Sequence, residues 1–201
     1  MKILHWTLII ISSTAMLSYG QKIDFSRKSV QEVIAIEVNS MLIDTVNFGI
    51  LKTPHNDIET ILPTKALIFK RTDDEFSPQL HVWYFFDKQL SKPKGILYNW
   101  GLFNPSFNPS ENRELLESFT KREKEFVEKY KTIRKLLIDL LGEPSNSKTI
   151  ADNKSKLIEQ IFWVNDNMIV GLSLEFQREI TEIPGIGILG DFQIEIMTTY
   201  R

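Results

Sequence analysis

The chain has 201 residues, with 24 basic against 26 acidic side chains, a formal net charge of −2 at pH 7 and no cysteine. Disulfides, thiolate metal sites and a lipid-bearing N-terminal cysteine are excluded, and the balanced charge offers no electrostatic pull toward nucleic acid or an acidic membrane. The length suits one ordinary core, which buries about 70% of the unfolded surface.

Met1-Lys2, an apolar run over residues 3–11 and a smaller, more polar stretch ending Ser18-Tyr19-Gly20 have the order of a secretory signal peptide. The apolar run is shorter than the ~20 residues of a spanning helix. Cleavage near Gly20 is expected, leaving a single domain over residues 21–201, with no stable membrane insertion after cleavage. The expected address is secreted or periplasmic. The alternative is an uncleaved tether over residues 3–19. A secreted chain without disulfides fits a bacterial periplasm better than an animal extracellular space.

Ser29-Val30-Gln31-Glu32 reads as a capping box opening a short helix, with Val30, Val33, Ile34 and Met41 on one face. Ile34, Ile36 and Val38 also alternate, so a strand is the rival reading over residues 29–39. Residues 44–63 give mixed signals and are expected to be loop, with a short strand or turn. Strands are predicted over 66–71, 80–87 and 94–101. The second of these, LHVWYFFD, is apolar on both faces, as a strand buried on two sides would be. A solvated turn at Asp73-Asp74-Glu75 precedes it, and the tandem FNPSFNPS follows the third strand as a proline-fixed connector.

The most strongly marked element is a helix over residues 108–142. Asn108, Pro109 and Glu111 suit its start, while Gly142 and Pro144 suit its end. Leu116, Phe119, Phe126, Tyr130, Ile133, Leu137 and Leu140 make one apolar stripe, broken only by Glu123, along ~50 Å of helix. Its basic residues, Lys121 through Lys135, interleave with Glu123, Glu125 and Glu128, as on a solvated face. Residues 143–156 are polar and read as a mobile loop. Strands follow over 157–164, 168–177 and 191–200. The second alternates cleanly, with Met168, Val170, Leu172, Leu174 and Phe176 inward and Ser173, Glu175 and Gln177 outward. Together these predict an α+β fold: an antiparallel sheet of about six strands covered on one face by one long and one short helix. Each half reads as a capped helix followed by about three strands, which suggests a duplicated unit.

The helix end Leu141-Gly142-Glu143-Pro144, a polar stretch and a following strand that carries Trp163 resemble small bacterial envelope modules of the β-lactamase-inhibitor-protein-like class. The small lipoprotein of the outer-membrane assembly machine belongs to that class. The resemblance covers residues 130–176 best and 29–100 loosely. It implies a non-catalytic protein that binds another envelope protein. It carries over no functional residue, and this chain lacks the lipid-bearing cysteine of the lipoprotein members.

Residue chemistry points to few sites. Gly185-Ile186-Gly187-Ile188-Leu189-Gly190 spells G-x-G-x-x-G, but the eleven residues after it alternate like a strand. A dinucleotide site needs a helix there, so the glycines are read as a hairpin loop and no cofactor is expected. His55 with Asp57 or Glu59 is the one acid–base grouping on which a small periplasmic hydrolase could rest. His81 is read as a structural residue at a sheet edge. No nucleophile elbow and no metal set is present in the pattern. Glu123 is either a buried functional carboxylate or a residue overhanging the sheet into water. Asn153-Lys154-Ser155 matches a glycosylation sequon, relevant only in a eukaryotic pathway. Phe103 and Phe107 in the connector, with Trp100 before them, form a candidate anchoring surface for a partner.

Overall fold

β-Branched and aromatic residues at a period of two dominate this chain, and strands dominate its structure. The computed structural model describes residues 23–37, 40–48, 51–52, 59–60, 64–71, 76–86, 92–101, 113–179, 181–183, 187–189 and 192–201. The predictions at Asp73-Asp74-Glu75 and at the start of the long helix lie outside those residues, as does the signal peptide.

Helix α1 (Val30–Ile36) is followed by β1 (Met41–Phe48), the short pair β2 (Leu51–Lys52) and β3 (Glu59–Thr60), then β4 (Thr64–Arg71), β5 (Leu80–Phe86) and β6 (Pro93–Gly101). Helices α2 (Arg113–Thr120) and α3 (Glu123–Leu141) lead into β7 (Asn146–Asp152), β8 (Lys156–Val164) and β9 (Met168–Gln177). The small hairpin of β10 (Thr181–Ile183) and β11 (Gly187–Leu189) precedes β12 (Phe192–Tyr200). Eight strands form one antiparallel sheet in the order β1-β4-β5-β6-β12-β9-β8-β7. Each half contributes helix first, then four strands laid out from the edge to the centre, and the halves meet at the antiparallel β6·β12 pair. The repeated unit is therefore larger than the helix-plus-three-strand unit predicted from sequence.

The two edge strands of the sheet lie where the sequence predicts mainly loop, with a short strand or turn within residues 44–63. β7 replaces the predicted loop: nearly every residue in it is exposed, so no burial requirement imposes an apolar alternation. β1 carries a register shift between Leu42 and Asp44, which breaks its period of two.

The helix predicted as continuous is two helices. Arg122, at φ −105° and ψ 16°, interrupts the ladder, and the Arg122 amide bonds to the Phe119 carbonyl three residues back. Phe119 and Phe126, on either side of the break, both enter the core. Phe126 meets Phe119, Phe76 and Phe176 at ring-centroid distances of 6.0, 5.1 and 5.3 Å. At the other end Gly142, with φ 81°, stops α3 as read from the sequence. Its carbonyl accepts the Trp163 indole N–H at 2.8 Å, fixing the helix end to β8.

All three helices lie on the same face. Val33 of α1, Phe119 of α2, and Phe126, Tyr130, Ile133 and Leu137 of α3 join one core with Val82, Tyr98, Trp100, Ile194, Ile196, Leu172 and Leu174 from the sheet. The opposite face carries no helix among the described residues.

Candidate binding surface

On the covered face a polar clasp holds the N-terminal segment. Ser29 caps α1 with the reciprocal bonds of a capping box, as the sequence predicted; the helical alternative of the two readings is the one formed. At the other end of α1, Glu37 is buried against Arg71, whose Nε donates to Oε2 at 3.0 Å and whose Nη2 closes on Oε1. Tyr84 Oη and Ser40 Oγ each donate to the same carboxylate at 2.7 Å. Burial alone would raise the Glu37 pKa, but the Arg71 hydrogen bonds and charge, with Ser40 and Tyr84, together hold it below the ordinary value. Tyr98 Oη donates to the Asp24 carbonyl and accepts the Asp24 amide, both at 3.0 Å, and Tyr200 Oη donates to the Phe25 carbonyl at 2.9 Å. Burial pushes the Tyr98 hydroxyl up to about 12. The contacts of Arg71, Tyr84, Tyr98 and Tyr200 fasten residues 24–37 to the sheet, a structural role.

The residues singled out in the sequence fare unequally. His55, Asp57, Phe103 and Phe107 lie outside the described residues, and Glu59 opens β3 with its side chain outside them. Trp100 does not belong to an anchoring surface: it has no exposed area and its ring is part of the helix-covered core. His81 is not at an edge but on β5, between β4 and β6, and is 6% exposed. Burial, then the Lys70 charge, lowers its pKa and favours the neutral ring. Glu123 is neither of the two things expected of it. Partly exposed at the start of α3, it receives Arg178 at 3.0 and 2.5 Å, and Arg178 also reaches Asp152 at 2.7 Å. The described part of the glycine motif, Gly187–Leu189, is strand β11, which pairs with β10. Asn153 makes the β7–β8 turn, its Oδ1 accepting the Ser155 and Lys156 amides.

The sheet face opposite the helices divides into two strips that run across the strands. Cross-strand register aligns Ile68, Trp83, Leu97, Met197, Gly171 and Phe162 in one row. Ala66, Ile68 and Phe85 are at most 5% exposed and pack against Trp83, Leu97 and Met197, so the apolar strip is closed at the β4–β5 end. It opens over β6, β12 and β8, where Leu97, Met197 and Phe162 are partly exposed. One pleat along the strands lies a polar row: His81, Asn99, Glu195, Ser173 and Gln160.

The polar row is wired to the next one. Asn99 Nδ2 donates to Glu195 Oε1 at 2.6 Å and to Gln193 Oε1 at 3.4 Å, and Gln193 Nε2 donates to Glu175 Oε2 at 3.1 Å. Gly101 makes room for this. A Cβ there would stand 2.6 Å from Asn99 Oδ1, which is buried and has no hydrogen-bond partner. The arrangement fixes two carboxylates and two amides on a rigid sheet beside an apolar ledge. It offers oriented acceptors and a place for an apolar surface, with no nucleophile–base pair among the described residues.

The sequence signalled one half of this surface. Leu80–Phe86 is apolar on both faces, and its burial on both faces agrees with that reading. Glu175 was placed on the outward side, but its assembly with Asn99, Gln193 and Glu195 depends on the β6·β12 pairing of chain segments about 95 residues apart, as in Asn99 to Glu195 at |i−j| = 96. No local pattern encodes that. Among the described residues no group of three or more metal-ligating side chains occurs, and no helix is long and apolar enough to cross a membrane. Comparison of the chain with protein-family models, curated proteins and solved structures finds no match.

Proposed function

We propose that this protein is a secreted or periplasmic, non-catalytic binding module that recognises another component of the cell envelope through the face of its sheet opposite the helices. The observation that carries this reading is the partial exposure of Leu97, Met197 and Phe162 beside the Asn99–Gln193–Glu195–Glu175 network. Partly exposed apolar side chains next to a few oriented polar groups are the usual make-up of a recognition surface. The signal-like N-terminus and the resemblance of the α3–β8 region to envelope modules support the same address and role.

The test is comparative capture from cell-envelope extract on three immobilised proteins. These are the native chain, a Leu97→Asp/Met197→Asp variant, and a Leu136→Asp/Leu140→Asp variant on the exposed side of α3. Circular dichroism first confirms that each is folded. The expected result is one component held by the native chain and the helix variant and lost by the sheet variant. Equal retention by all three, or loss only in the helix variant, refutes the proposal.

A further inference from the structure

Resting on the reading of residues 1–20 as a cleaved leader, we propose that Gln21 of the mature chain is converted to pyroglutamate, a neutral lactam that closes the N-terminus to exopeptidases. The site is independent of the sheet face.

Three observations support this chemistry. The first is what cleavage exposes. Leader peptidases read small side chains at the first and third positions before the bond they cut. Among the bonds that follow residues 16–22, only the one after Gly20 meets that requirement, with Gly20 first and Ser18 third. Cutting there makes Gln21 the first residue. Its α-amino nitrogen can then attack its own side-chain carbonyl carbon, Cδ. A C–N bond closes a five-membered ring, the Cδ–Nε2 bond breaks, and the side-chain nitrogen leaves as ammonia, taking the proton the amine gives up. No oxidant, reductant or co-reactant is needed. An α-amino group has an ordinary pKa of about 7.7–8.0, so part of it is the neutral nucleophile near pH 7.

The second is charge. Residues 21–28 carry Lys22, Arg27 and Lys28 against a single acid, Asp24. Asp24 is already paired with Lys28 at 3.0 Å, and Arg27 lies over the Tyr200 ring with its Nε donating to the Pro93 carbonyl. A terminal ammonium would add a fourth positive charge to this segment with no carboxylate of its own to meet. Ring closure removes that charge.

The third is what lies immediately downstream. Only Gln21 and Lys22 separate the new terminus from residues the fold uses. Ile23 and Phe25 pack against the main core. Tyr98 Oη holds both the amide and the carbonyl of Asp24, and Tyr200 Oη donates to the Phe25 carbonyl. An aminopeptidase starting at a free Gln21 reaches Ile23 after two cuts, and each further cut removes an anchor. Loss of Asp24 leaves the fully buried Tyr98 hydroxyl without its partners. A lactam has no free amine for such an enzyme to grip, so the ring protects the segment that closes one end of the helix-covered face.

The experiment reads the N-terminus of the protein recovered from the envelope fraction of source cells. A glutamyl endopeptidase releases the fragment ending at Glu32, which is weighed by mass spectrometry. The expected mass is that of residues 21–32 less one ammonia. Stepwise degradation should be blocked until pyroglutamyl aminopeptidase removes the ring, and should then read Lys22-Ile23-Asp24. A synthetic peptide of residues 21–32 taken through the same steps reports ring closure during work-up, and a lactam fraction in the protein no larger than the peptide's overturns the proposal. A free Gln21 overturns the lactam and leaves the cleaved leader standing. A terminus at any other residue, the uncleaved Met1 included, overturns both. The protective role is tested with a Gln21→Ala variant secreted through the same leader, whose terminal amine cannot cyclise. Incubated with a broad aminopeptidase, the variant should lose residues through 23–25 and unfold at a lower temperature, while the native protein keeps its mass. Equal trimming or equal resistance of the two overturns that role.

Discussion

Removing the Glu37 carboxylate should be among the most destabilising single changes in the N-terminal half. Glu37→Ala leaves Arg71 with its side chain 14% exposed and facing a cavity where a carboxylate, itself 1% exposed, had been. Tyr84 and Ser40 lose their acceptor at the same time. Stranding one partner of a buried pair costs about 3–5 kcal/mol. With a urea dependence of about 2 kcal/mol per M, the unfolding midpoint followed by tryptophan fluorescence should fall by about 1.5–2.5 M. The apolar double variant Glu37→Met/Arg71→Leu should recover much of that loss, because a buried pair replaced as a unit leaves no charge behind. The pH dependence has a definite sign. The Glu37 pKa is lower folded than its ordinary 4.5, so its contribution is complete above about that pH. The contribution is lost as pH falls through the folded value. The difference between native and Glu37→Ala should therefore shrink in acid. A midpoint change below about 0.5 M at pH 7, or a double variant no better than the single one, refutes this account of the clasp.

Three further outcomes follow from the fold. Phe126→Ala empties the meeting point of Phe76, Phe119 and Phe176 and should cost about 3–5 kcal/mol in urea unfolding. Gly142→Ala meets no atom within 4 Å, so its expected cost of about 1–3 kcal/mol is backbone strain at φ +81° alone, measurable by thermal unfolding at equal protein concentration. Ser29→Ala removes half of the α1 capping box and should cost about 1 kcal/mol, with Ser29→Asp restoring most of it in the same assay.

The legible parts of the structure are those where burial writes a period into the chain. Met168–Gln177 alternates because one side meets α3 and the other does not, and its inward residues were read correctly. Ser29 and Glu32 announce α1, and Gly142 with Pro144 ends α3, because caps need particular side chains at particular places. β7 was missed because an exposed edge imposes no such period. The break at Arg122 was missed because Phe119 and Phe126 are spaced by seven residues, which an unbroken helix would satisfy equally well. The candidate surface was the least legible of all. Asn99, Gln193 and Glu195 each look like an ordinary polar residue on a solvated strand face, and only the pairing of the two halves at β6·β12 brings them together. Trp100 misled in the opposite direction, since position beside a loop says nothing about which face of the strand its ring takes.

The central claim is that recognition happens on the sheet face opposite the helices and not on the helix layer. The most direct measurement is a photo-crosslinking scan, with a light-activated phenylalanine analogue placed one at a time at Leu97, Phe162, Leu136 and Lys131. Each protein would be irradiated in intact source cells and the adducts compared. Adducts of a common species from positions 97 and 162, and none from 136 and 131, are what the account predicts. The reverse distribution would place the working surface on α3 and contradict it.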